Sequence, residues 1–346
     1  MSKESRIFDG WLTRYKINRG LSLYELESVL EVDRPINIPL MDKGLIRVNS
    51  VFVEFIDRFF FLRGWATMGF LPFAIAWSYF AFLFGSTIYV PPGDGAGLSF
   101  EHILSGWIAT ITIVVFLVVM CVFGLCRDFF CYTYYPIRFN RENRKVYVFR
   151  HNKKNGVLTL EWNKVFWFIG RSRDGSRYIY DLRGHVLDDE KIVRYTFAVG
   201  QYGETQAEIL QHWETIRLYM EESPAALPYP PLALSLSTQP TLRNCLLIQM
   251  GWLVSGRSPV VLLFGVVWGF FRWLALKTCR QPRWPADIEA ACQIPANDPY
   301  RQTEPLRAGE FPDFGEAEEL RQSEYIREAR AAAEAYEQAR SKANAS

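Results

Sequence analysis

GWATMGFLPFAIAWSYFAFLFGSTIYV, residues 64–90, and ILSGWIATITIVVFLVVMCVFGLC, residues 103–126, decide how this chain must be read. No charged side chain lies between Arg63 and Asp94, and none between Glu101 and Arg127. Each run exceeds the roughly 20 residues that a helix needs to cross a hydrocarbon core about 30 Å thick. Backbone N–H and C=O groups in such a core must be bonded internally, so two helices are expected. Pro91-Pro92-Gly93-Asp94-Gly95-Ala96-Gly97 between them is a turn, too short for a domain. The expectation is a transmembrane hairpin over 64–126.

Charge gives its orientation. The loop 91–102 holds no Lys or Arg, while Arg47, Arg58 and Arg63 precede the hairpin and Arg127, Arg138, Arg141, Arg144 and Lys145 follow it. Basic residues stay on the cytoplasmic side, which puts both termini in the cytoplasm. The polar residues inside the runs are Ser and Thr, such as Thr67, Ser78, Ser105 and Thr112. Without an intramembrane acid, base or histidine, no ion or proton path is expected.

The 346 residues leave room for one further compact domain and tails. A net charge of +2 argues against nucleic acid as a partner, because that binding demands a strongly basic face. Six cysteines, none in a Cys-x-x-Cys pair, read as free thiols. The polar N-terminus lacks the apolar core of a signal peptide, so the first apolar helix is expected to direct insertion.

Outward from the hairpin, residues 1–49 read as a cytoplasmic segment, poorly ordered over 1–20, with a short helix in Leu21–Glu31 broken by Pro35–Pro39. In 50–63, Glu54, Asp57 and Arg58 fall at i, i+3 and i+4, one polar face of a helix lying in the membrane interface or packed on a soluble domain. After Phe129–Tyr135, the period changes to two. Strands are expected at Pro136–Asn140, Lys145–Arg150, Val157–Trp162, Val165–Gly170, Arg177–Leu182 and Val193–Gly200, with Asn155-Gly156 and Asp174-Gly175 as hairpin turns. Thr205 and Glu208 open a helix whose Ile209, Trp213, Ile216 and Met220 share a face, and Ser223-Pro224 ends it.

One helix after meandering strands must bury its apolar face against them. Residues 127–223 therefore read as a small antiparallel barrel or sheet capped by one helix, a topology similar to the pleckstrin-homology-like fold. The fold class expected is a membrane α-helical hairpin plus an α+β cytoplasmic domain. Residues 224–257 read as a Pro-rich linker and lead-in, and 258–276 as an interfacial or re-entrant helix, because basic residues flank it on both sides; a true third span or a core helix is the alternative. The tail 277–346 ends in a helix over Glu316–Lys342, acidic at its start and basic at its end, solvated or folding on a partner.

Catalytic signatures are missing. There is no phosphate-cradling Gly loop, nucleophile elbow or His-Glu-x-x-His, and no His or Cys pair at ligand spacing, so neither cofactor nor metal is expected. Asp181, His185 and Asp188-Asp189-Glu190 are the one cluster that could hold a divalent ion or do acid–base work; a solvated corner is the simpler reading. Glu214 and Arg217 at i, i+3 read as an exposed pair supporting their helix. Lys153, Lys154, Arg171 and Arg173 are candidate contacts for anionic lipid or a partner.

Three stretches carry a resemblance: Pro136–Arg141 with Lys145–Arg150, Trp213–Glu221, and Asn297-Asp298-Pro299-Tyr300. With the hairpin ahead of them, the chain resembles a family of uncharacterised bacterial inner-membrane proteins, catalogued as a domain of unknown function. That family is associated with type VI secretion and polymorphic-toxin neighbourhoods. The resemblance covers about residues 45–300 and transfers no activity to any residue. It implies location in the bacterial inner (plasma) membrane and a toxin or secretion component as protein partner. The function expected is a membrane-anchored, non-enzymatic interaction protein, either an immunity protein or an accessory of a secretion or toxin system. The alternative is a lipid- or envelope-sensing module, and a third reading is an enzyme built on His185 and Asp188–Glu190.

Overall fold

The computed structural model describes residues 5–6, 9–11, 13–88, 99–228, 234, 236–253, 258–310 and 315–345. The turn expected at Pro91–Gly97 lies outside the described residues. The fold is mixed α+β, with two sheets and three long apolar helices. The chain forms two units. One takes Met1–Phe61, Tyr132–Gln239 and Gln281–Ser346; the other takes Leu62–Cys131 and Pro240–Arg280.

The first unit holds both sheets. In chain order its strands are β1 (Ser5–Arg6), β2 (Val29–Leu30), β3 (Leu45–Val48), β4 (Phe52–Phe55), β5 (Ile137–Asn140), β6 (Lys145–Phe149), β7 (Val157–Glu161), β8 (Phe166–Asp174), β9 (Arg177–Leu187), β10 (Val193–Gly203) and β11 (Gln302–Thr303). One sheet runs β11-β3-β4-β5-β6-β7 and is antiparallel throughout. The other runs β1-β8-β9-β10, with β2 also on β8; only β1 is parallel to its neighbour. The helices of this unit are α1 (Leu23–Glu27), α4 (Gln206–Glu221), α7 (Ala286–Ala291) and α8 (Glu316–Ala345); α2 and α3 (Trp65–Ile88, Phe100–Phe123) and α5 and α6 (Leu242–Leu253, Pro259–Leu276) belong to the second.

The six strands expected downstream of the hairpin are β5 to β10, and α4 follows them. The Thr205 hydroxyl accepts the Glu208 N–H at 3.3 Å and caps α4. The helix buries Ile209, Trp213, Ile216 and Met220 in the core. There the Trp213 ring stacks on Trp162, centroids 5.4 Å apart, and lies 5.6 Å from Trp167.

Several expectations are corrected. Residues 52–55 are a strand, β4, and no interfacial helix covers 50–63. All four side chains of β4 are buried, so both faces are covered and the apolar run carries no readable period. Glu54 faces β5, where it accepts Arg138 Nε at 2.8 Å, and Arg138 is sandwiched between the Phe52 and Trp284 rings at 4.1 and 4.6 Å. In the described part of the stretch before residue 20, Trp11 is buried and Asn18 N–H bonds the Val193 carbonyl at 2.7 Å. Glu214 and Arg217 are buried and bidentate, at 2.8 and 2.7 Å, with Glu214 also accepting the Ile36 N–H. Helix α8 docks on α4: Ala329 and Ala333 are buried, Gln211 donates to the Ala329 carbonyl, and Tyr325 hydroxyl accepts the Leu40 N–H.

In the second unit, α2 packs on α3 and on α6, and α5 packs on α6. Helix α5 stands where only a linker and lead-in were expected. Its buried residues are Asn244, Cys245, Ile248 and Gln249, a stripe half polar and so invisible to a search for apolar periodicity. Gly64 has φ +87°, and a Cβ there would lie 2.4 Å from Arg272 Cα, so the start of α2 meets α6 at a position only glycine fits. Trp268 donates to the Arg63 carbonyl at 3.0 Å, and Asp128 accepts both the N–H and the hydroxyl of Thr67 at 2.9 and 3.0 Å. All six cysteines are free.

Three helical stretches, Phe60–Ser86, Ile103–Arg127 and Pro259–Leu276, are long and apolar enough to cross a membrane. They carry much exposed apolar surface: Phe73, Phe82, Ile108, Val115, Val260 and Leu263 are each more than half exposed.

Candidate functional site

The four candidate cations separate into two pairs on different sheets. Arg171 and Arg173 sit on β8. The Arg171 guanidinium lies between the Tyr24 and Tyr178 rings, at 4.5 and 4.7 Å, and Arg173 Nε donates to the Gly175 carbonyl at 3.1 Å. Both are already engaged, Arg171 with α1 and β9 and Arg173 with the β8–β9 turn.

Lys153 and Lys154 occupy the β6–β7 loop. The loop turns through Asn155 at φ +59°, and a Cβ on Gly156 would fall 1.7 Å from the His151 carbonyl oxygen, so this Asn-Gly turn is required by geometry. Asn152 fixes the loop in space. Its N–H bonds the Tyr132 hydroxyl at 2.9 Å, its Oδ1 accepts the Arg283 N–H at 2.9 Å, and its Nδ2 donates to the Gln281 carbonyl at 3.1 Å. Between this loop and residues 283–288 opens a cleft of about 660 Å³. Lys153, Lys154 and Arg283 all line it, and none of the three makes an ion pair among the described residues. Asp287 is the acidic residue on the rim. Arg283 was counted in the sequence only as a flank of the apolar stretch before it; its proximity to Lys153 needs the Asn152 bonds, which no local pattern announces.

Asp181 and His185 do not form one cluster with Asp188–Glu190. Asp181, Arg183 and His185 alternate along β9 and so share one face. That face is polar and buried beneath the N-terminal segment. Asp181 accepts Arg58 Nη1 at 2.6 Å and Arg183 Nε at 2.9 Å, while Ser172 Oγ accepts a second N–H from each arginine. His185 faces the Glu25 carboxylate at 3.1 Å and Thr196 Oγ1 at 2.8 Å. A carboxylate only accepts, so Nε2 carries the proton and Nδ1 accepts from the threonine. Burial drives the His185 pKa down, which agrees with this neutral form. Against the cost of burial, N–H bonds from Arg19, His185 and Ser22 hold the Glu25 carboxyl well below the usual range. Closed from solvent, these groups hold the N-terminal segment to the sheet. Asp188 sits apart in the β9–β10 turn, its pKa lowered by the Ile192 N–H and by Arg194. Among the described residues, no three His, Cys, Asp or Glu side chains are grouped to hold a metal ion.

A second cleft, about 610 Å³, lies between Ile36–Leu40, α4 and α8, with Arg217, Leu218, Arg321 and Tyr325 in its wall. Its cations are paired, Arg217 with Glu214 and Arg321 with Glu318.

The sequence profile of a family of unknown function, DUF6708, matches residues 114–295. The chain belongs to that family. The DUF6708 match spans β5 to β10 and α4 to α7, and therefore includes the Asn152 loop, Arg283 and the cleft between them. It leaves out β3, β4, α2 and α8. No curated protein and no solved structure matches the chain.

Proposed function

We propose that this protein is a membrane-anchored, non-enzymatic interaction module that displays a folded domain on one side of a bilayer. The observation that carries the reading is how the first unit is sewn together. Strand β4 precedes the hairpin 64–126 and pairs with β5 directly after it, and β11, beyond residue 280, pairs with β3. A sheet cannot be shared across a bilayer, so each apolar excursion, 62–131 and 240–280, leaves and returns on the same side. The first crosses twice. The second, whose described α5 of 12 residues is about 18 Å long, we read as a re-entrant excursion that returns to the same side. The positive-inside bias favours the cytoplasm as that shared side, and the resemblance to bacterial inner-membrane proteins supports that membrane as the host.

The strand order supports the pleckstrin-homology-like reading of the domain: β4 to β7 in one sheet, β8 to β10 in the next, then α4 on the core between them. In this reading the membrane hairpin is an insertion between the first two strands. An immunity or accessory role in a secretion or toxin system remains the function of choice for such a displayed domain, with a toxin or secretion component as partner.

The test is alkaline carbonate extraction followed by affinity purification of the tagged chain from native membranes. Retention in the membrane pellet and a stoichiometric protein partner are expected. Release into the supernatant overturns the anchor; retention with only bulk lipid bound overturns the protein partner.

A further inference from the structure

We infer that the cleft between the β6–β7 loop and Arg283 binds the phosphate of an anionic lipid headgroup. The inference rests on the membrane-anchored reading and names a ligand for that domain. Three observations converge on it. Lys153, Lys154 and Arg283 line one cavity of about 660 Å³ and spend no charge on an acid partner among the described residues, with Asp287 leaving a net excess of two positive charges. Unpaired cations around a concave surface raise the local concentration of anions. The Asn152 bonds hold the loop and the 281–283 segment together, so the cations are gathered before any ligand arrives and little ordering entropy is lost on binding.

The third observation is where the cleft sits in the chain. Tyr132 and Gln281, the two residues Asn152 grips besides Arg283, are the first residues of their segments after an apolar helix, α3 in one case and α6 in the other. The cleft is thus built on the two points where the chain comes back from the membrane-entering helices. A phosphate at headgroup level is the anion such a site meets most often. Arg171 and Arg173 lack this context and are excluded from the site, since their guanidinium groups are stacked on Tyr24 and Tyr178 or bonded to the β8–β9 turn.

The test uses the full chain in detergent. Apparent affinity is read from thermal stability against dioctanoyl phosphatidylglycerol, dioctanoyl phosphatidylcholine and inorganic phosphate, each at low and at 0.5 M salt. Phosphatidylglycerol is expected to raise the melting temperature in a salt-sensitive way, and phosphatidylcholine to do so far less. At about 1 kcal/mol per cation near a headgroup, K153A/K154A/R283A should weaken the anionic lipid about a hundredfold. R171A/R173A should bind as the parent does. If inorganic phosphate alone gave the full shift, the lipid as source would be overturned. If the triple variant bound phosphatidylglycerol as the parent does, the cleft would be overturned. A chain that fails carbonate extraction instead sinks the anchor itself, a distinct result.

Discussion

Asp181 is one carboxylate serving two guanidinium groups in a place water does not reach. Removing it takes from Arg58 and Arg183 a carboxylate that both hold inside the fold, at a cost of about 3–5 kcal/mol. Asp181→Ala should therefore lower the melting temperature in detergent by many degrees, whereas Asp188→Ala, in an exposed turn, should leave it nearly unchanged. His212 makes a pH prediction. Burial, helped by the Lys43 charge, holds its pKa down to about 3, and its Nδ1 accepts the Lys43 N–H at 3.1 Å. A histidine depressed in the fold contributes fully above its unfolded pKa of about 6.5 and costs stability as pH falls below it, up to about 1.4 kcal/mol per pH unit. His212→Asn keeps the acceptor and removes the titration, so the loss of stability between pH 7.5 and 5 should shrink; an unchanged loss would assign it to other groups. Neither residue's role was legible in the sequence. Asp181 was visible at the end of an expected strand and His185 only as part of a solvated corner after it; the N-terminal segment that makes their face a buried one contributes Tyr15, Arg19 and Glu25 from far away in the chain.

At the scale of elements, legibility tracked local punctuation. Strands β6 and β7 are joined by the Asn155-Gly156 turn and α4 opens on the Thr205 cap, so their positions were readable although β6 and α4 are buried on most sides. Strand β4 is buried on both faces, and its charged Glu54 answers Arg138 on the neighbouring strand, so the same letters mimic an amphipathic helix. Helix α4 carries the core, and Trp213→Ala should cost about 3–5 kcal/mol because three tryptophan rings lose their common contact. Helix α8 is held by far less. Replacing the fully buried Ala329 with leucine overfills its contact with α4, at a cost of about 1–3 kcal/mol. Limited proteolysis should then cut within α8 faster while the sheets stay protected; equal cutting would mean that α8 is not held through Ala329.

For the whole molecule, the decisive fact is that sequence-distant strands share one sheet. A phosphatase reporter inserted after Asp94 should be active outside the cytoplasm, while reporters after Gln239 and after Ser346 should be inactive there. Activity at the C-terminus alone would mean an odd number of crossings and would break the shared-side argument. The sequence announced α2 and α3 because charge-free runs of that length suit long apolar helices. It could not announce that Lys153 and Arg283 meet, because their meeting depends on Asn152 closing a gap of about 130 residues. The pairing of β11 with β3 has a further consequence, for the order of events during synthesis. Roughly 250 residues separate these partners, and at about 5–20 residues per second a ribosome needs about 10–50 s to deliver the second after the first. Once Phe123 is made, and for the rest of that interval, the nascent chain holds two long apolar helices while the flank of β3 waits unpaired. A premature stop codon between Phe123 and Gln302 would make that waiting state permanent.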